Sequence, residues 1–203
     1  MNSRIRIAVA DDEPDMQEYF EKILTRMGHI VVSVAENGAQ LVEHCRTLKP
    51  ELVISDINMP QLDGIEAAVR VFRENPIPFI LVSGYHDQSL IERAEADHVM
   101  SYLIKPIKQA DLEPAIAIAM RRFAQFLELR KEADDLRQAL ADRKQIERAK
   151  GILMKRTGLD EPASFRRLQK LASEKNLKLA EIAVQILNAE EAFAPLPTEG
   201  DGR

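Results

Sequence analysis

Cysteine is nearly absent: Cys45 is the only one among 203 residues. A single thiol cannot build a disulfide framework, so the chain is expected to hold its shape by packing and to suit a reducing, cytoplasmic setting. Cys45 itself reads as a packed helix residue rather than a reactive thiol. Long apolar runs are missing too. Stretches such as residues 77–83 are broken by polar residues or proline far short of the ~20 residues a membrane span requires, and no membrane association is expected. The opening residues lack the apolar segment of a secretory signal and read directly into a strand. The histidines, His29, His44, His86 and His98, are scattered, which argues against a histidine metal cluster. What the chain does have is 45% hydrophobic residues, enough to bury a core, and room for two small domains.

The net charge of −5 is unevenly spread. Residues 1–122 carry 13 Lys and Arg against 19 Asp and Glu, a balance of −6. Residues 143–178 carry 11 against 4, a balance of +7. An acidic half followed by a basic stretch points to a cation site first and a polyanion surface second.

Along residues 1–122, short apolar runs alternate with helical spacings. Residues 4–10, 30–35, 52–55, 79–82 and 102–104 read as strands. Residues 14–27, 37–48, 65–73 and 89–96 read as helices, with Asn37 as an N-cap, and a further helix starts near Asp111. Five strand–helix units of this size predict a doubly wound parallel (βα)5 sheet with helices on both faces. From Leu112 to about Thr157 no strong breaker occurs except Pro114, which falls in a first turn where it is tolerated. Within this long helix Phe126, Leu129, Ala133, Leu136 and Leu140 recur at alternating three- and four-residue spacings. Two readings stand: a short coiled-coil seam, or an amphipathic helix lying on its own domain. After a turn at Thr157 and Gly158, Asp160, Glu161 and Pro162 start another helix. Phe165, Leu168, Leu171 and Ala172 form its apolar face, and Phe165 reads as core. Asn176 breaks it, Leu179 to Leu187 marks a last helix, and residues 194–203 read as a frayed tail. The domains expected are residues 1–122, a helical connector at 123–142, a three-helix all-α module at 143–193, and the tail.

The polar residues fall where a parallel sheet places its sites. Asp11, Asp12, Asp56, Ser83 and Lys105 all follow the carboxyl ends of predicted strands, the binding edge of open α/β sheets. A carboxylate can accept a phosphoryl group only when its own charge and that of the incoming group are neutralised. Mg²⁺ does this with a few hard oxygens. Asp11 and Asp12 beside Asp56 supply such oxygens, Lys105 a fixed cation for a phosphate oxygen, and Ser83 a hydroxyl donor, so no separate general base is needed.

The motifs Asp11-Asp12-Glu13, Asp56 through Gly64, Ser83-Gly84, and Tyr102-Leu103-Ile104-Lys105-Pro106 make residues 4–122 resemble a response-regulator receiver domain of the flavodoxin-like class. The resemblance implies Asp56 as phosphoacceptor, with Mg²⁺ held by Asp12, Asp56 and the main-chain oxygen of Asn58, and Asp11 contributing through water. It implies Ser83 and Tyr102 as a switch pair, a cis bond at Lys105-Pro106, and a sensor histidine kinase as partner. At Ala96-Asp97-His98-Val99-Met100 the chain departs from the Gly-Ala pair that receivers carry before the fifth strand.

In the basic stretch, the run Ala149-Lys150-Gly151-Ile152-Leu153-Met154, flanked by Arg143, Ile146 and Glu147 and followed by Gly158, Leu159, Ala163, Phe165 and Leu168, resembles an ANTAR output domain over about residues 136–190. That likeness implies a three-helix RNA-binding module, preceded by a coiled coil, that prevents transcription termination by seizing hairpins in nascent transcripts. Lys150, Lys155 and Arg156 are the RNA-contact candidates; the motif's Ala, Gly and Met read as packing. The expected protein is a phosphorylation-linked homodimer with no separate substrate. The rivals are a DNA-binding regulator, against which the lack of a helix-turn-helix pattern counts, and a protein-binding signalling adaptor.

Overall fold

A computed structural model describes residues 4–84 and 99–192. The helix expected at 89–96, the first three residues of the departure at 96–100 and the tail lie outside those residues. The five strands are β1 (Arg6–Ala10), β2 (Ile30–Ala35), β3 (Leu52–Asp56), β4 (Phe79–Ser83) and β5 (Val99–Ile104). All pair in parallel in the order β2-β1-β3-β4-β5. The described helices are α1 (Pro14–Arg26), α2 (Gly38–Leu48), α3 (Gly64–Glu74), α4 (Gln109–Thr157), α5 (Glu161–Lys175) and α6 (Leu179–Ala192). The doubly wound α/β architecture, the single long helix and the helices after it are as the sequence predicts. β5 begins three residues earlier than expected, because Val99 pairs with Phe79 on β4.

The alternation of side chains along each strand builds two cores. Ala8, Ala10, Val53, Phe79 and Leu81 face α2 and α3. Ile7, Val9, Ile54, Ile80 and Val82 face α1 and the first turns of α4, where Leu112, Ala115, Ile116 and Ala119 recur at helical spacing. Burial on both faces is why the strands read as unbroken apolar runs. Local signals fix the helix ends. Asn37, Asp63 and Asp160 each accept a backbone N–H three residues on, at 2.9, 2.7 and 2.8 Å. Asn176, in the left-handed conformation, ends α5.

The chain divides into two compact units, residues 1–128 and 129–203. In the first, Phe126 packs on Phe72 of α3 with ring centroids 5.3 Å apart. Beyond it Leu129, Leu136 and Leu140 stand 66%, 61% and 67% exposed. In the second unit Ala149, Leu168, Ala172, Ile182 and Ala183 form a small core. Ser164 is fully buried beside it, and its hydroxyl has no hydrogen-bond partner among the described residues. An unpartnered buried hydroxyl costs about 1–3 kcal/mol. Ser164→Ala is therefore expected to raise the unfolding free energy of this unit by about 1–2 kcal/mol in urea denaturation; a loss of stability would show that the hydroxyl is partnered after all.

Candidate functional site

At the carboxyl edge of the sheet, three neighbouring strands and the edge strand β5 deliver their terminal residues to one place. Asp11 follows β1, Asp56 ends β3, Ser83 ends β4, and Lys105 follows β5. Lys105 Nζ lies 3.0 Å from Asp56 Oδ1 and 3.1 Å from Asp11 Oδ2. Residues 45 and 94 positions away from Asp11 in sequence therefore share one ion cluster. The main chain aims each group. Asp11 N–H donates to Ala35 O at 3.1 Å, and Lys105 N–H donates to Ser83 O at 2.9 Å. The Lys105-Pro106 bond is cis.

The carboxylates are held individually as well. Asp56 Oδ2 accepts the Asn58 N–H at 2.8 Å, and Asp11 Oδ1 accepts the Glu13 N–H at 3.0 Å. Gln17 Nε2 donates to Asp11 O at 2.6 Å, tying α1 to the cluster. Asp11 and Asp56 are both buried, and burial raises both carboxyl pKa values despite the opposing pull of Lys105. Burial by itself lowers the Lys105 ammonium, but the Asp56 and Asp11 carboxylates beside it outweigh that, and its pKa is raised. Two carboxylates thus share one cation, and the site is short of positive charge.

That shortage has a visible point. Asp11 Oδ2 is buried with no donor aligned on it, although Lys105 is within ionic reach. Asp12 is exposed beside it. Oxygens of Asp11, Asp12, Asp56 and the Asn58 main chain make a hard donor set that suits Mg²⁺, which keeps several waters. No cluster of three or more carboxylates, histidines or cysteines with metal-binding geometry occurs among the described residues, so such an ion would rely on main-chain oxygen and water.

Ser83 ends β4 at the same edge, and Tyr102 lies on the neighbouring strand β5. The Ser83 hydroxyl donates to Gly84 O at 2.9 Å. Tyr102 is half-buried against the α2–α3 core. Sequence reasoning quoted two further residues without giving them a role. Glu13 Oε1 lies 3.4 Å from Lys105 Nζ, a third carboxylate on the same ammonium. Gly64 sits where an added Cβ would be 2.1 Å from Asp56 O, so the start of α3 presses directly on the Asp56 backbone. An invitation to look there existed in the Asp63-Gly64 pair, a helix start with a glycine.

In the second unit, two of three RNA-contact candidates are tied up. Lys150 has only 10% of its side chain exposed and lies 2.6 Å from Glu147 and 2.7 Å from Glu161. It joins α4 to α5 through these ion pairs. Arg156 pairs with Glu190 at 2.9 Å. Lys155 is exposed and makes no ion pair among the described residues. Phe165, expected in the core, is 38% exposed. The helical spacing that placed it on the apolar face puts it at that face's margin. Gly151, expected as packing, is also exposed, and a Cβ there would meet nothing within 4 Å.

A five-stranded parallel sheet whose carboxyl edge gathers buried aspartates around one lysine defines a receiver-type domain. A family model for the response regulator receiver domain matches residues 7–117, and one for the ANTAR domain matches residues 134–187. The chain is 34% identical over 182 residues to "Transcriptional regulatory protein PdtaR" of Mycobacterium tuberculosis, covering 90% of this chain and 89% of that protein. It is 30% identical over 112 residues to chemotaxis protein CheY of Thermotoga maritima, covering 55% and 93%. The crystal structure of the response regulator domain of Thermotoga maritima CheB superposes with a TM-score of 0.54 at 28% identity, over 59% of this chain and 98% of that one. The chain belongs to the two-component response regulators, and joins a receiver domain to an ANTAR domain. Among the described residues no helix is long and apolar enough to cross a membrane.

Proposed function

We propose that this response regulator accepts a phosphoryl group on Asp56 from a sensor histidine kinase in the cytoplasm, and then binds RNA hairpins through its ANTAR domain to prevent transcription termination. The observation that carries the reading is the Lys105 ammonium within 3.1 Å of both Asp11 and Asp56 at the carboxyl edge of the sheet. An Asp56 carboxylate oxygen forms the new P–O bond as the P–N bond of the kinase phosphohistidine breaks. The bonding pair leaves with the imidazole, which takes up a proton. Lys105 meets an oxygen of the transferred group, and Ser83 turns its hydroxyl from Gly84 O to another. Tyr102 then moves toward the space behind Ser83. Asp12, Asp56 and the Asn58 main-chain oxygen would hold Mg²⁺, with Asp11 contributing through water. Bound there, the ion neutralises charge on the carboxylates and the phosphoryl oxygens. The chain serves no separate substrate; its chemistry is its own phosphorylation and hydrolysis.

Phosphorylation shifts the receiver toward a population in which the leucine stripes of two connector helices pair. A homodimer then presents two output modules to two adjacent hairpins, and the second binding event is intramolecular. Mg²⁺ at a hundredfold excess over its Kd is expected to raise the unfolding free energy of the receiver by about 2.7 kcal/mol. Chelation should reverse that gain, and Asp12→Ala should remove it; an equal gain in Asp12→Ala would place the ion elsewhere. The function itself is tested by filter binding of the phosphorylated chain to tandem-hairpin RNA and to duplex DNA of equal length. At least tenfold tighter binding to the RNA is expected. A preference for the duplex would favour a DNA-binding regulator.

A further inference from the structure

The ion pairs of the second unit sort its cations into two sets. Lys150 is held by Glu147 and Glu161, Arg156 by Glu190, and Lys170 lies 3.8 Å from Glu174. Lys175 donates to Gln185 at 3.2 Å. Between residues 143 and 178, Arg143, Lys144, Arg148, Lys155, Arg166, Arg167 and Lys178 are exposed and make no ion pair among the described residues. Arg148 escaped notice in the sequence, where a count of charges cannot tell a paired cation from a free one.

Three of these, Lys144, Arg148 and Lys155, share one face of α4. Positions 144, 148, 151 and 155 follow one another at spacings of four, three and four, the repeat that keeps residues in line along a helix. The fourth member is Gly151. Glycine is among the poorest helix formers, and here it lies within a continuous helix. Where the first unit uses Gly64 because a side chain would strike its own backbone, no described residue outside the local helix backbone lies within 4 Å of a Cβ at residue 151. Neither packing nor a turn accounts for it. A bare stretch of backbone flanked by cations one turn away on either side is a surface that something outside the chain can approach closely.

We propose that Lys144, Arg148, Gly151 and Lys155 form the surface that receives the sugar–phosphate backbone of the RNA, with Gly151 as the point of closest approach. This rests on the reading of the ANTAR domain as an RNA-binding module and assigns its contacts. The charge decides the occupant. A second copy of the chain laid symmetrically on this face would set its own lysines and arginine against these, whereas phosphates complement all three. Lys150 and Arg156 belong to the frame that holds the surface in place rather than to the surface.

The test uses the full-length chain treated with acetyl phosphate, a synthetic RNA of two adjacent hairpins, duplex DNA of equal length, and a series of salt concentrations. Gly151→Ala is expected to weaken RNA binding at least tenfold while raising the melting temperature by roughly 4 °C, since alanine is the better helix former and has open space. Combined Lys144→Gln, Arg148→Gln and Lys155→Gln is expected to reduce the slope of log K against log salt by about two to three units, whereas Lys170→Gln leaves binding within about twofold of the wild type. If the wild type binds the RNA and either the Gly151 variant or the triple variant binds as well as it does, the assigned surface is overturned and the RNA reading stands. If the wild type prefers the duplex, or binds neither, the RNA reading fails and the assignment fails with it.

Discussion

Replacing Asp56 with Asn is expected to reduce labelling by acetyl phosphate by at least a hundredfold while leaving the receiver folded. Asparagine keeps the shape of the side chain and an oxygen for the Asn58 N–H, which Asp56 Oδ2 accepts at 2.8 Å. It lacks the anionic oxygen that must attack phosphorus. The stability of the variant carries a second expectation, with a definite sign. Burial raises the Asp56 carboxyl above its ordinary value. Between the unfolded value of about 3.9 and the raised folded value, the folded state therefore binds more protons. Stability that is present at low pH is lost as pH rises through that window. At neutral pH without Mg²⁺ the ionised Asp56 opposes folding, and the neutral amide does not. Urea denaturation at pH 7 should find Asp56→Asn at least as stable as the wild type, with a shallower fall in stability across the acid range. A clearly less stable variant would mean that the pairing of Asp56 with Lys105 outweighs the cost of its burial.

Gly64→Val should fail in the opposite way, losing stability and labelling together. A Cβ at residue 64 would stand 2.1 Å from Asp56 O, which is backbone, and 3.0 Å from Ser55 Oγ, which is buried and donates to that same oxygen at 2.9 Å. The Gly64 N–H also donates to Ile57 O at 2.9 Å, which pins the loop between β3 and α3. Accommodating valine requires the end of β3 to move, at a cost of about 3 kcal/mol or more. A displacement of the acceptor by about 1 Å is enough to slow a positioned reaction on the order of a hundredfold. Urea denaturation and the rate of acetyl phosphate labelling check both effects. Wild-type stability in Gly64→Val would show that α3 is free to shift away from Asp56.

The contrast between these two positions marks what could be read from the sequence. Asp56, Asp11 and Lys105 were legible because a parallel sheet delivers every strand's carboxyl end to one edge, so residues far apart in sequence meet once the strands are recognised. The strands were recognisable because both faces are buried, which leaves apolar runs ending abruptly in polar residues. Gly64 was not legible as a contact, since its constraint comes from a carbonyl on the preceding strand rather than from its own helix. The output unit was harder for a related reason. Lys150 carries the same formal charge as Lys155, and only the placement of Glu161 across the turn from α4 to α5 separates a buried tie from a free cation. Phe165 satisfied the spacing of the apolar face yet lies at its margin, because period alone does not say how wide the covered stripe is. The stripe of Leu129, Leu136 and Leu140 was visible as a pattern, but its exposure required the fold.

A phosphoryl group on Asp56 is expected to govern RNA capture by the second unit. A titration of tandem-hairpin RNA with the full-length chain, in Mg²⁺, with and without acetyl phosphate, tests it most directly. At least tenfold tighter binding is predicted in the presence of the donor, together with no response in Asp56→Asn. Equal affinity with and without the donor would contradict it.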